Sequence, residues 1–315
     1  MRIAVLKGGR SLERQVSLRS AGRVQDALER LGHDVTPVDV GPDLVDRLGE
    51  ADPELAFVAL HGRDGEDGTV QELLEVLGIT YTGSGVSACI RAADKVLTKH
   101  AMRDRGIPTP DFYSFSETAF QALGAAQALP AIEDRLQFPI VVKPARQGSA
   151  LGIKFASTAA DVPQALVAAF SYDRKVLLER YVAGRDLAVS IIEEGGGGER
   201  VPRALPIVEA VPQQEDFYDF ESRYEIGRTK FVCPAELEAP VAARASELAL
   251  AVYELLGCRG FGRVDLMLDS DTQELYVLEA DPIPGLTETS LLPQAADAAG
   301  IGFDELIGRI VAAGG

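Results

Sequence analysis

Apolar and polar residues follow two different rhythms along this chain, and the change between them divides it. Through residues 1–90, short apolar runs alternate with amphipathic stretches of helical period. "RIAVLKGG" predicts a strand and a Gly turn, and "SLRSAGRVQDALERLG" a helix stopped by Gly32. "HDVTPVDV" and "LAFVALHG" predict two more strands, "TVQELLEVLG" a helix ending at Gly78, and "ITYTGSG" a short strand and turn. Strand–helix alternation implies a parallel sheet covered by helices, with ligands taken at the carboxyl ends of its strands. Those ends read Lys7-Gly8-Gly9 and His61-Gly62.

A helix over 87–106 and a proline-fixed linker, "IPTPDF", lead into hairpin-like strands mixed with helices. "FPIVVKPARQGSALGIKFAS" predicts strand, Gly-rich loop, strand, and "DVPQALVAAFSY" a helix. "KVLLERYVAGRDLAVSIIE" predicts two strands around Gly184, and residues 193–200, "EEGGGGER", a hairpin tip. A long helix over 238–257 precedes the strands "RVDLMLD" and "LYVLEAD", which a tight turn joins, and "GFDELIGRIVAA" closes the chain as a helix. No internal repeat is visible. The fold class expected is a parallel α/β N-terminal domain (1–90) followed by an α+β portion in two lobes (91–186 and 187–315).

Composition narrows the function classes. Hydrophobic residues make up 46% and charged residues 25% of 315 positions, the balance of an ordinary globular protein. A formal net charge of −17 argues against nucleic acid as a partner, because a phosphate backbone needs a clustered cationic surface. A small anionic ligand stays open if a few Lys and Arg line one cleft. Cys89, Cys233 and Cys258 lie far apart without metal-type spacing and read as reduced core thiols. The opening "MRIAVLKGG" lacks signal-peptide regions, and no apolar stretch approaches the roughly 20 residues of a membrane span. The expectation is a cytoplasmic protein with no membrane partner.

The candidate chemistry begins with "VLEADPIPGLTETSLLP" (277–293). Glu279 and Asp281 lie two apart on a strand and so share a face. If "RVDLMLD" pairs with it, Asp265 faces them, and carboxylate oxygens of this kind suit a hard cation such as Mg²⁺. Asp281 reads equally as the start of a turn before Pro282. Lys143, followed by the small residues Gly148, Ser149 and Gly152, could hold a polyphosphate through its ammonium and the loop amides, or be a plain hairpin. It is not a Walker A loop, since the Lys precedes the glycines. Glu179 and Asp186 could accept from an adenine amino group and from ribose hydroxyls, or be surface charges. His61, beside Glu66, sits where a ligand would meet the first sheet, and could equally be structural.

Taken in order, these segments resemble the D-alanine–D-alanine ligases of the ATP-grasp superfamily. The resemblance rests on "GGRSLERQVSLRSA", "HGRDGEDGTVQELLEVLGITYTGSGVSAC", "DKVLTK", "PIVVKPARQGSALGI", "DFYDFESRYEIGRTKFVCPAEL", "GFGRVDLMLD" and "LEADPIPGLTETSLLPQAA", across residues 5–296. It implies a three-lobed ATP-grasp fold, usually homodimeric, that joins two D-alanines at the expense of ATP for peptidoglycan precursors. By this resemblance Asp265, Glu279 and Asp281 hold two Mg²⁺ ions (Mn²⁺ could replace them). Lys95 and Lys143, with Gly148 and Arg223, bind the nucleotide phosphates; Glu179, Arg180, Tyr181 and Val182 face the adenine edge, and Asp186 the ribose. Glu13 anchors the ammonium of the first D-Ala, and Glu13, Ser149 and Tyr224 order the second substrate and the lid loop. Arg263, with the backbone of Gly285, stabilises the oxyanion. Ser290 and Leu291 receive the terminal carboxylate, and His61 and Glu66 stand beside the substrate.

The family pattern is not matched everywhere. Arg223 stands where Lys is usual, Ala150 replaces the second Ser of a Gly-Ser-Ser loop, Asp281 replaces Asn, and Asp186 replaces Glu. Tyr224, where D-lactate-accepting relatives commonly carry Phe, points to an amine acceptor. The readings left open are a related ligase with another second substrate (D-Ser, D-lactate or another amino acid) and a nucleotide-binding paralogue without turnover.

Overall fold

The computed structural model describes residues 1–195, 200–212 and 229–314. Arg223 and Tyr224 therefore lie outside the described residues. The N-terminal segment runs β1 (Arg2–Lys7), α1 (Arg14–Arg30), β2 (Asp34–Asp39), α2 (Leu44–Ala51), β3 (Leu55–Val58) and α3 (Thr69–Leu77). The three strands form a parallel sheet, as the alternation predicts, in the order β2-β1-β3. Tyr81 adds a single parallel bridge to Ala56.

The helix expected over 87–106 is two helices, α4 (Val86–Ala93) and α5 (Lys95–Asp104). Asp94 separates them in an extended conformation, φ −96° and ψ 98°, and its side chain accepts from the amides of Val96 and Leu97. An Asp that satisfies the first amides of a new helix is a starting signal, and here it outweighs the continuous apolar pattern. The break sets Lys95 at the first position of α5.

The central lobe contains β4 (Phe112–Ser116), α6 (Glu117–Ala122), α7 (Leu129–Leu136), β5 (Ile140–Pro144), β6 (Lys154–Ala156), α8 (Val162–Phe170) and β7 (Lys175–Arg180). Its antiparallel sheet has the order β4-β7-β5-β6. The C-terminal lobe follows with β8 (Gly184–Glu194), β9 (Val201–Ala204), β10 (Val208–Pro212), β11 (Thr229–Val232), α9 (Ala239–Leu256), β12 (Phe261–Asp269), β13 (Leu275–Asp281), α10 (Leu291–Ala298) and α11 (Phe303–Ala313). Its sheet runs β11-β10-β8-β12-β13, with β9 alongside β8. The chain passes from one sheet to the other between Arg180 and Gly184, so the division expected at 186 falls inside β8.

The cores decide which parts move together. Leu6, Phe57 and Val58 of the N-terminal sheet share one apolar cluster with Ala188, Phe261, Leu286 and Leu292 of the C-terminal lobe. Each large side chain buried there contributes on the order of 2 kcal/mol, so these two regions form one body. The central lobe packs its own cluster around Ile132, Ile140, Val142, Leu166 and Leu178. A cleft lies where the two bodies meet.

Candidate active site

The acidic hairpin forms one wall of that cleft. The register of β12 and β13 sets Arg263 opposite Asp281 and Asp265 opposite Glu279, and side chains at i and i+2 share a face. All four therefore emerge together. The arrangement is not three carboxylates turned on one point. Arg263 donates from Nε and Nη2 to both oxygens of Asp265, at 2.7 and 2.9 Å, and its Nη1 lies 3.1 Å from Asp281 Oδ2. Glu279 Oε2 meets Lys95 Nζ at 3.0 Å. Asp281 also accepts from the amide of Ile283 at 3.0 Å, which turns the chain at Pro282. Neighbouring like charges are thus separated by cations.

On the opposite wall runs the Gly-rich loop. Lys95 Nζ donates to the carbonyl of Gln147 at 2.8 Å and fixes the loop's beginning. Ser149 and Ala150 both have left-handed backbone, φ 52° and 58°, a conformation that costs a side-chain-bearing residue energy and tends to persist at functional sites. Ser149 Oγ donates to Glu13 Oε2 at 2.5 Å, joining the central lobe to the N-terminal segment. Glu13 itself is buried, and among the described residues its Oε1 has no hydrogen-bond partner. Gly62 and Gly148 make its slot, since a Cβ on either would come within 2.9 Å of Glu13 Oε1. Burial first, and then the nearby charge of Glu66, push the Glu13 carboxyl up to about 7. Burial and Asp281 raise Glu66 as well.

His61 is buried, with Nε2 2.9 Å from Ser20 Oγ and Nδ1 3.6 Å from Glu66 Oε1. Burial lowers its pKa, so the ring is neutral at pH 7. Ser20 Oγ also accepts from the amide of Leu286 at 3.1 Å, which ties His61 to the segment after β13. Ser290 precedes α10, and its Oγ accepts from the amide of Thr287 at 3.0 Å. A Cβ on Gly285 would come within 2.7 Å of that oxygen. Leu291 opens α10, whose amino-terminal amides favour an anion.

Glu13, Glu66, His61, Lys95, Gly148, Ser149, Arg263, Glu279, Asp281, Gly285, Ser290 and Leu291 all line one cleft of about 970 Å³. Asp265 stands just behind Arg263. The expected adenine-facing residues are elsewhere. Glu179 is buried on β7, where its Oε1 meets Lys143 Nζ at 2.6 Å and its Oε2 meets Lys99 Nζ at 2.5 Å. Burial opposes the charge on Glu179, but the two lysines outweigh it and hold the carboxyl below its usual range. The Arg180 guanidinium stacks over Tyr276 at 4.9 Å, Tyr181 meets the edge of Phe155 at 5.7 Å, and Val182 is buried. Asp186 lies on β8 between Ala210 of β10 and Met267 of β12.

Comparison with known proteins identifies relatives along the whole chain. The family model described as "D-ala D-ala ligase C-terminus" matches residues 101–312, and "D-ala D-ala ligase N-terminus" matches residues 45–84. The D-alanine–D-alanine ligase of Syntrophotalea carbinolica is 44% identical over 99% of this chain and 95% of its own, and that of Carboxydothermus hydrogenoformans 38% identical over 100% and 98%. The crystal structure of the Bacillus anthracis ligase complexed with ATP superposes with a TM-score of 0.81 at 32% identity, covering 99% of this chain and 97% of that one. The chain belongs to the D-alanine–D-alanine ligase family. As a member of that family it carries one buried group that the motifs did not single out as a site residue, Lys99. This lysine sits within "DKVLTK", four residues after Lys95 on α5, and is fully buried. Helical spacing of two lysines in an otherwise core-facing stretch is the signal that could have found it. Burial pushes its ammonium down to about 8, against the pull of Glu179.

Proposed function

We propose that this chain joins two D-alanines into D-alanyl-D-alanine through a D-alanyl phosphate, with ATP as phosphoryl donor, and so supplies peptidoglycan precursors in the cytoplasm. The observation that carries the reading is the single cleft in which an underpartnered carboxylate, Glu13, stands near Arg263, Glu279 and the amino end of α10. A free carboxylate is a poor acyl donor, so it must first be phosphorylated, and that transfer rests on positioning and charge neutralisation.

Glu13 would ionise as the ammonium of the first D-Ala arrives, since a cation at hydrogen-bond distance favours the charged form. Phosphoryl transfer to that substrate's carboxylate takes place between the Gly-rich loop and the acidic hairpin. Lys95 and Lys143, with the amide of Gly148, would hold the phosphates, and Glu179 to Val182 and Asp186 the adenosine. Arg263 and the amide of Gly285 would stabilise the oxyanion formed when the second amine attacks. Ser290, Leu291 and the start of α10 would receive the second carboxylate, while neutral His61 beside Glu66 faces the amine. By the family resemblance Arg223 would bind the nucleotide phosphates, and Tyr224 would act with Glu13 and Ser149 on the second substrate; both lie outside the described residues.

The donor set suits Mg²⁺. Asp265, Glu279 and Asp281 offer hard oxygens from adjacent strands, and no three ligating side chains converge among the described residues. That matches an ion that takes one or two carboxylates and completes its shell with phosphate oxygens and water. Two such ions, or Mn²⁺ in their place, would neutralise the triphosphate charge. A homodimer without nucleic-acid or membrane partners completes the reading; no described helix is long and apolar enough to cross a membrane.

Phosphate release from ATP with D-Ala, D-Ser, D-lactate or L-Ala, at varied Mg²⁺, tests this. Release with D-Ala above all others is expected. Release with none of them would overturn the ligase reading and leave a nucleotide-binding protein without turnover.

A further inference from the structure

Helix α5 places two lysines one turn apart on a single face, and each takes a carboxylate from a different sheet. Lys95 reaches Glu279 on β13, and Lys99 reaches Glu179 on β7. Lys99 also donates to Thr109 Oγ1 at 2.5 Å, and Thr109 in turn donates to the carbonyl of Val277, two residues before Glu279, at 2.8 Å. Glu179 therefore holds two ammonium groups, Lys99 and Lys143, where one would balance its charge.

The second cation matters once Lys143 is asked to do something else. Lys143 is not among the residues lining the cleft, and its ammonium is paired with Glu179 at 2.6 Å. To reach a nucleotide phosphate it must loosen that contact. A buried carboxylate left without a cation takes up a proton. Protonation would turn Glu179 from an acceptor into a donor, and it could no longer receive the amino group of adenine through that oxygen. Lys99 is fully buried and anchored by Thr109, so it has no route to the cleft and stays with Glu179. A carboxylate has about four lone-pair positions, so two lysines leave room for a base amino group.

We propose that Lys99 is a positioning residue for the nucleotide. It keeps Glu179 ionised and oriented while Lys143 turns to phosphate, and thereby makes the site prefer a 6-amino purine over a 6-oxo purine. The inference rests on the reading of Glu179 as the adenine acceptor made above.

The test uses the full-length protein with Lys99→Met, Glu179→Gln and the double variant. Nucleotide affinity for ATP and ITP is measured by calorimetry without D-Ala, alongside steady-state kinetics with D-Ala and thermal unfolding. Lys99→Met is expected to weaken ATP binding about tenfold or more, to narrow the ATP-over-ITP preference, and to change kcat by less than about threefold, since uniform binding rather than the transition state is affected. In the double variant the two losses should not add. A lowered unfolding temperature with ATP affinity and ATP-over-ITP preference unchanged would overturn the proposal, as would additive losses. Should Lys99→Met fail to fold, Thr109→Val decides, because it removes only the hydroxyl that anchors Lys99. It should weaken ATP binding about two- to fivefold, and an unchanged affinity would count against the proposal. Because calorimetry needs no turnover, a parent that binds ATP without ligating D-Ala would sink the proposed activity and leave this inference standing. A parent that binds ATP and ITP equally would sink the inference alone.

Discussion

Among the described residues Glu13 and Glu66, in the part of the cleft that the N-terminal segment builds, have no lysine or arginine within ion-pair distance, whereas Glu279 and Asp281 on the hairpin wall, and Asp265 and Glu179 outside the cleft lining, each meet at least one. The contrast separates two ways of preparing for a charged ligand. Where the ligand brings a cation, as an amino acid does, the protein leaves buried carboxylates short of positive charge and accepts a raised pKa. On the proposed reading, where the ligand brings phosphates, lysines and an arginine are held against the protein's own carboxylates and would exchange partners when it binds. Removing a stored cation should therefore do more damage than neutralising a waiting carboxylate.

Arg263→Met tests the stored side and carries the largest expected effect. The variant strips the counter-charge from two carboxylates at once, and breaking a buried ion pair on one side costs about 3–5 kcal/mol. Loss of an oxyanion donor lowers kcat by about 10²–10³-fold. Adding Asp281→Asn to Arg263→Met should recover part of the unfolding temperature without recovering kcat. Equal stability of the two variants would show that Asp281 does not depend on Arg263.

Glu13→Gln tests the waiting side, and its signature is a pH dependence. Folding raises the Glu13 carboxyl from its ordinary 4.5 to about 7. The native state thus binds more protons than the unfolded chain between those values, and stability falls as pH rises through that window. Gln removes the ionisation, so the variant should be the more stable protein at pH 8, by roughly 3 kcal/mol. The gap should close towards pH 5. The same variant should raise the KM for D-Ala. Thermal unfolding from pH 5 to 8 gives the comparison, and a gap that does not change with pH would mean that Glu13 is ionised in the empty cleft.

Much of this architecture is legible in the sequence. The β12–β13 hairpin follows from two strand-like runs and a tight turn, and its period puts Asp265, Glu279 and Asp281 on one face, while Arg263 comes only from the family resemblance. The three parallel strands followed from the early strand–helix alternation. The partner choices were not readable. That Arg263 serves Asp265 and Asp281 depends on register, and that Glu179 holds two lysines depends on α5 packing against β7 across about eighty residues of sequence. The break at Asp94 was hidden because a capping residue inside an apolar pattern looks like one more polar position. The shared core of the N-terminal sheet and C-terminal lobe joins residues such as Leu6 and Leu292, and no local pattern announces it.

Asp281 carries the smallest expected effect and the finest distinction between the two groups of carboxylates. It belongs to the paired side through Arg263, yet its charge also raises Glu66 and, more weakly, Glu13 on the waiting side. Asp281→Asn keeps an oxygen for the amide of Ile283 and for a metal, and removes one negative charge beside the phosphates. Activity should stay within about threefold of the parent, since Arg263 keeps Asp265 as its counter-charge and is not left as an uncompensated buried ion, while the Mg²⁺ concentration for half-maximal rate rises. Asp281→Ala removes the oxygen as well and should lose about tenfold or more, the scale for losing one ligand or its support at a metal site. Rate against Mg²⁺ concentration separates the cases. An Ala variant with the parent's curve would show that this side chain holds no metal, and that its pairing with Arg263 only keeps the hairpin's charges in balance.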